Sequence, residues 1–137
     1  MKEPIWIDER DAIALHGKSL VRHGGTGGLR DLGLLQSALA RPRQQLAYAE
    51  SSSRIGMAAA YASGIIQNHP FIDGNKRVGF LASVLFLELN GYRFSASEEA
   101  AAQAVLDLAA GNIDEGKFAD FLGGNAAGSR NARSGRG

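Results

Sequence analysis

Between positions 69 and 77 the chain reads His69-Pro70-Phe71-Ile72-Asp73-Gly74-Asn75-Lys76-Arg77. One imidazole, one carboxylate, one amide and two cations fall within that segment, a polar density that is costly beside a long apolar run unless something binds there. The residue types fit a phosphate site. Asp73-Gly74-Asn75 reads as a turn and the residues after it open a helix, so the free N–H groups of Gly74 to Arg77 can converge on one anion. Gly74 lets the backbone approach closely. Lys76 and Arg77 add side-chain charge, Arg77 with a fork that matches phosphate oxygens. Asp73 would repel a phosphate held directly, which makes it a ligand for a Mg²⁺ ion that also takes phosphate oxygens and water. His69 is the side chain here that accepts a proton near neutral pH. A polyphosphate on the helix N-terminus, Mg²⁺ on Asp73 and a hydroxyl deprotonated by His69 together describe phosphoryl or nucleotidyl transfer.

The elements that must hold this segment are helical. Ala and Leu are abundant and the apolar residues recur at helical spacing, so the fold class is all-α, a bundle of about six helices. Asp8 caps a first helix that presents Ile13 and Leu20 and stops at Gly24. Asp31 opens a second through Leu34, Leu35 and Leu39 to Pro42. Ser53 caps a third, carrying Ile55, Met57, Tyr61, Ile65 and Ile66, which Pro70 ends because the residue before proline is driven out of the helical region. The fourth runs from about Asn75 to Asn90, with Gly91 as its stop. It is apolar on nearly every face, VGFLASVLFL from Val78, which predicts the central helix of the bundle. Ser97 with Glu98 and Glu99 starts a fifth, and Asp114 a short sixth with Phe118, Phe121 and Leu122 as contacts. Tyr92 to Phe94 is long enough only for a brief extended link.

Composition narrows the function classes. At 137 residues and 45% apolar, one compact domain is expected, over residues 1–122, with 123–137 a disordered Gly- and Arg-containing tail. The absence of cysteine removes disulfides, thiolate metal sites and thiol nucleophiles, and fits a reducing cytoplasm. Three of the fifteen Lys and Arg, namely Arg130, Arg133 and Arg136, lie in the tail, leaving twelve cations against fourteen acids in the body. That balance does not suit a nucleic-acid binder. The longest apolar stretch, Val78 to Leu87, is far short of the ~20 residues of a membrane span, and no secretion signal opens the chain. No membrane association is expected.

HPFIDGNKR resembles the signature of the Fic/Doc superfamily, approximately HxFx(D/E)GN, then Gly or Lys, then Arg. Gly27-Gly28-Leu29-Arg30-Asp31 through Ala40-Arg41-Pro42 also resembles its Doc (death-on-curing) branch, the toxins of bacterial toxin–antitoxin modules, and the likeness runs from about Ile5 to Leu122. It implies a Fic/Doc-like bundle with His69 as general base, Asp73 as metal ligand, and Gly74, Asn75, Lys76 and Arg77 at the nucleotide phosphates, Lys76 and Arg77 also counting as catalytic. Phe71 would anchor the loop inward. The AMP-transferring branch has glycine after the Asn, where this chain has Lys76, and a second arginine three residues after the motif Arg, where it has Phe80. Both departures turn the resemblance toward Doc-type transfer of the γ-phosphoryl group of ATP to a protein hydroxyl, its implied target elongation factor Tu and its consequence arrested translation. The family's self-inhibitory (S/T)xxxE(G/N) helix is missing: Ser95 and Glu99 come nearest, but Ala100 follows. Inhibition is then expected in trans, from an antitoxin segment that folds on the toxin. Two alternatives stay open, an AMP transferase and an inactive module that binds antitoxin or acts as a corepressor.

Elsewhere the readings are plainer. His16 and His23 have no partners at ligand spacing and read as structural or surface groups. Gly24-Gly25-Thr26-Gly27-Gly28 lacks the P-loop ending and reads as a flexible connection. Arg30, Arg41 and Arg43 read equally as solvated charges or as grips on a target. Tyr48 and Glu50 are candidates for the flap that positions a target segment in the family.

Overall fold

The computed structural model describes residues 3–49 and 53–128. Six helices follow in order, α1 Glu9–His23, α2 Leu32–Tyr48, α3 Arg54–Asn68, α4 Asn75–Leu89, α5 Glu98–Ala110 and α6 Glu115–Gly124, with two short strands, β1 Tyr92–Phe94 and β2 Ala126–Gly128. The all-α expectation holds. Each expected capping residue does its work: Asp8, Asp31, Ser53, Ser97 and Asp114 accept from the N–H groups of Asp11, Leu34, Gly56, Ala100 and Lys117. These bonds satisfy donors that a helix start leaves open. Asp8 and Asp11 form a reciprocal capping box, which holds the Asp8 carboxyl below its ordinary value chiefly through the Asp11 backbone N–H.

Two helices depart from expectation. Pro42 does not end α2, which continues to Tyr48 with Pro42 inside it. Proline has no N–H for the carbonyl of residue 38 and disfavours a helix interior. Here, however, its ring is fully buried and Leu46 beyond it packs on the core, so tertiary packing overrides the local penalty. The most enclosed helix is α3 rather than α4. All ten residues from Met57 to Ile66 are buried, and α3 packs against α2, α4, α5 and α6. Its Ala, Ser and Gly side chains let neighbours close in on every side. A Cβ on Gly64 would stand 3.2 Å from Ala38 Cα, and one on Gly79 of α4 would stand 2.9 Å from Ile66 Cγ1 and 3.1 Å from the Ala62 carbonyl.

The apolar surface of α4 is divided. Val78, Ala82, Phe86 and Leu87 enter the core, whereas Phe80, Leu81 and Val84 line a groove of about 950 Å³. An all-round apolar helix need not be enclosed; one of its faces here lines an open groove. The Tyr61 hydroxyl ties the core to the chain before α1, accepting from Ile7 N at 2.9 Å.

α6 runs past Leu122 to Gly124, and β2 pairs antiparallel with β1, Phe94 opposite Ala126 and Tyr92 opposite Gly128. Tyr92 to Phe94 is therefore a paired strand, and the expected tail begins as ordered structure. The remainder of that tail, 129–137, lies outside the described residues, as does Glu50.

Candidate active site

The segment 69–77 is the α3–α4 connection and the first turn of α4. His69 caps the C-terminus of α3 in the left-handed conformation, φ 50° and ψ 54°, and is the one non-glycine residue with positive φ among those described. Side chains with a Cβ disfavour that region, and such residues persist where their surroundings over-determine them. Gly74 is also left-handed, φ 82°, and caps α4 without any side-chain bond. The first intrahelical bond of α4 runs from Val78 N to Gly74 O, so the N–H groups of Asn75, Lys76 and Arg77 have no carbonyl four residues back to engage them. Every other helix covers its start with a carboxylate or hydroxyl. Among the described helices, this one alone leaves its positive end without a side-chain cap.

The loop between is clamped from within. Asn75 is buried, its Oδ1 accepting from Phe71 N and its Nδ2 donating to Phe71 O, both at 2.9 Å. Its amide also stands 3.4 Å from His69 Nδ1, the outer limit of a hydrogen bond. The side chain expected at the nucleotide phosphates is thus committed to the loop, and Asn75 has its backbone N–H to offer an anion. Phe71 points inward as expected and is buried.

Three segments outside the motif hold it from other sides. The buried ring of His16 on α1 stacks on Phe71, 4.1 Å between centroids at 14°, and its Nε2 donates to the Asp73 carbonyl at 2.9 Å. The structural reading of His16 holds, and its partner is the motif itself. The glycine-rich segment 24–28 lies against Asp73: Thr26 N donates to Oδ2 at 3.3 Å, and a Cβ on Gly25 would meet that oxygen at 2.9 Å. Leu29 then bridges Phe71 in antiparallel fashion, with Ile72 N donating to Gly28 O at 3.1 Å. What composition marks as a flexible connection is docked on the motif. Arg30 donates from Nε to His69 O at 2.7 Å and from Nη2 to Asn68 O at 2.9 Å.

Asp73, Lys76 and Arg77 are exposed. The Asp73 carboxylate accepts from Gly74 N at 2.8 Å through Oδ1, and each oxygen keeps a lone pair for a cation. Among the described residues no three His, Asp, Glu or Cys cluster as a protein-only metal cage. One exposed carboxylate beside an open helix start fits Mg²⁺, which typically keeps waters and shares phosphate oxygens. Lys76 and Arg77 also line the groove on α4, as do Lys18, Arg22 and His23 of α1. Arg41 pairs with Glu115 at 2.7 Å and Arg43 lies 5.0 Å from the Trp6 ring centre, so neither is simply a solvated charge. Tyr48 is 93% exposed.

A family model, that of the Fic/DOC family, matches residues 6–87, the span from before α1 to the last turn of α4. The chain belongs to the Fic/DOC family. Among its Fic/DOC relatives, "Protein kinase doc" of Escherichia phage P1 is 33% identical over 116 residues, covering 85% of this chain and 91% of that one. "Toxin Doc" of Mycolicibacterium smegmatis is 30% identical over 125 residues, covering 89% and 94%. Both carry the name of the branch that the motif resembles. The N-terminal Fic domain of a VirB-translocated Bep effector protein of Bartonella quintana, solved with bound ADP, aligns at 19% identity and a TM-score of 0.48 over 72% of this chain and 50% of that one. No helix among the described residues is long and apolar enough to cross a membrane.

Proposed function

We propose that this chain is a Doc-type toxin that transfers the γ-phosphoryl group of ATP to a hydroxyl of a protein target. The observation that carries the reading is the open N-terminus of α4, where a helix lacking a side-chain cap is flanked by His69, Asp73 and the two cations Lys76 and Arg77. Polyphosphate binds to the free N–H groups and the positive end of the helix dipole. Asp73 would hold a Mg²⁺ ion, which neutralises phosphate charge as it builds. His69 takes the proton of the incoming hydroxyl, whose oxygen bonds to the γ-phosphorus as the bridging oxygen leaves with ADP. Lys76 occupies the place next to Asn75 that must be small for an α-phosphate to be attacked, and Phe80 stands in place of a second arginine. Both favour γ-transfer over AMP transfer.

The target implied by the Doc resemblance is elongation factor Tu, whose modification would arrest translation in the cytoplasm. The partner is an antitoxin acting in trans. Supporting that reading, the groove between α1, α4, β1 and α5 is lined by Leu15, Phe80, Leu81 and Val84 and by Lys18, Arg22, Lys76 and Arg77, suited to an amphipathic helix with acidic residues on its edges.

The test uses purified protein, Mg²⁺ and bacterial lysate with ATP labelled on the α- or the γ-phosphate. Label from the γ-position alone, on a band of the size of elongation factor Tu and lost in His69→Ala, is expected. Label from the α-position would establish AMP transfer instead, and no label from either would move the function to binding alone.

A further inference from the structure

Arg30 precedes α2 and is separated from His69 by 39 positions, yet it organises the turn on which His69 stands. Its Nε reaches the His69 carbonyl at 2.7 Å and its Nη2 the Asn68 carbonyl at 2.9 Å, while its own backbone N–H donates to Pro70 O at 2.7 Å. Three consecutive carbonyls, 68 to 70, are therefore gathered by one residue. They are the carbonyls on either side of the strained φ of 50° at His69. We propose that Arg30 is a positioning residue for His69, holding its backbone in the left-handed conformation that aims the imidazole at the open start of α4.

The chemistry of the side chain supports this. A planar fork with separate nitrogens spans two adjacent carbonyls, whereas a lysine offers one point charge. The His69 carbonyl takes its hydrogen bond from Arg30. The inner clamp of Asn75 acts on Phe71 and His16 acts on Asp73, so each holds a different part of the loop. Arg30 also lies at the C-terminal end of α3, where a cation favours the helix dipole; a cap of that kind alone would affect stability and nothing more. Removing the side chain opens no cavity, because Arg30 is exposed. The α2–α3 junction keeps the bonds from Asn68 Nδ2 to Leu34 O and from Asp31 N to Pro70 O.

The inference rests on His69 being the base proposed above, and the experiment separates the two. Arg30→Ala and Arg30→Lys are prepared in the full chain and compared with wild type for γ-phosphoryl transfer, equilibrium binding of ATP with Mg²⁺, and the backbone NMR signals of His69. Expected in Arg30→Ala is a kcat lower by roughly tenfold or more, with nucleotide affinity unchanged. The three-bond HN–Hα coupling and Cα shift of His69 should leave their left-handed values. Added guanidinium should restore part of the rate in Arg30→Ala, and Arg30→Lys should restore little. Unchanged His69 signals in Arg30→Ala overturn the inference whatever the rate does, as does a kcat in Arg30→Ala equal to that of a wild type that transfers phosphate. If wild type transfers AMP or nothing, the kinase reading fails, and the His69 signals still decide what Arg30 does.

Discussion

The middle of α3 and the loop that leaves its end are held by opposite means. From Met57 to Ile66 the helix is fixed by closeness: small side chains, a glycine against Ala38, and another on α4 against Ile66 and Ala62. From His69 to Gly74 the chain is fixed by hydrogen bonds delivered from afar, by His16, Thr26 and Arg30, with Asn75 inside. The first arrangement carries stability and tolerates no added volume. The second carries the geometry of the site, anchored in the core by the buried Phe71. Substitutions should accordingly separate into those that unfold the molecule and those that disable it while folded.

The largest effect is expected at Gly79. Valine there would set its Cβ 2.9 Å from Ile66 Cγ1 and 3.1 Å from the Ala62 carbonyl, and such overpacking costs about 3 kcal/mol. For a domain of this size the melting temperature should fall by roughly 10 °C in a thermal denaturation scan. A Gly79→Val protein that melts like wild type would break the comparison, since it would mean that the α3–α4 contact yields easily.

Asn75→Ala comes next. Both bonds to Phe71 disappear, leaving a buried N–H and carbonyl without partners at a cost of about 2 kcal/mol. The loop that carries His69 and Asp73 is freed, so transfer activity should fall roughly a hundredfold. Activity, read by γ-label incorporation, should suffer far more than the melting temperature, the reverse of Gly79→Val.

This division also explains what was legible in the sequence. The caps at Asp8, Asp31, Ser53, Ser97 and Asp114 are local events, each settled within three residues, and reading them set the helix starts correctly. Pro42 misled because burial of its ring by other helices decides its fate. Apolarity pointed to α4 as the centre because it reports which residues avoid water; which helix neighbours can approach most closely depends on small residues, and those are in α3. In the site, the motif residues were legible as types, but the clamp by Asn75 and the supports from His16, Thr26 and Arg30 span up to 57 positions. Glycine content in 24–28 announces permitted conformations, not mobility, which is why a segment docked on Asp73 read as a loose connection.

A smaller effect is expected at His16, where ring and donor can be separated. His16→Phe keeps the stack on Phe71 and loses the bond to the Asp73 carbonyl; His16→Gln keeps a donor and loses the ring. Each should cost about 1 kcal/mol of stability. His16→Phe should also raise the Mg²⁺ concentration needed for half-maximal binding of ATP, measured by calorimetry, because the residue that bears the metal-binding carboxylate is no longer held. An unaltered Mg²⁺ requirement would place His16 with the core rather than with the loop.

The smallest effect belongs to the core alone and appears only in base. Burial pushes the Tyr61 hydroxyl from its ordinary value of 10 up to about 12. The folded state thus disfavours the phenolate, while the unfolded chain releases that proton near pH 10. The stabilisation is whole below pH 10 and is lost as pH rises toward 12. The hydroxyl accepts from Ile7 N, so Tyr61→Phe should cost about 1 kcal/mol at neutral pH, while part of the wild-type loss of stability between pH 10 and 12 should vanish in the variant. Denaturant titrations of both proteins across that range would read it. A decline of equal slope in the two would assign alkaline unfolding to groups elsewhere. A decline confined to wild type would show that the enclosed middle of α3 has its own pH response, separate from the exposed loop at its end.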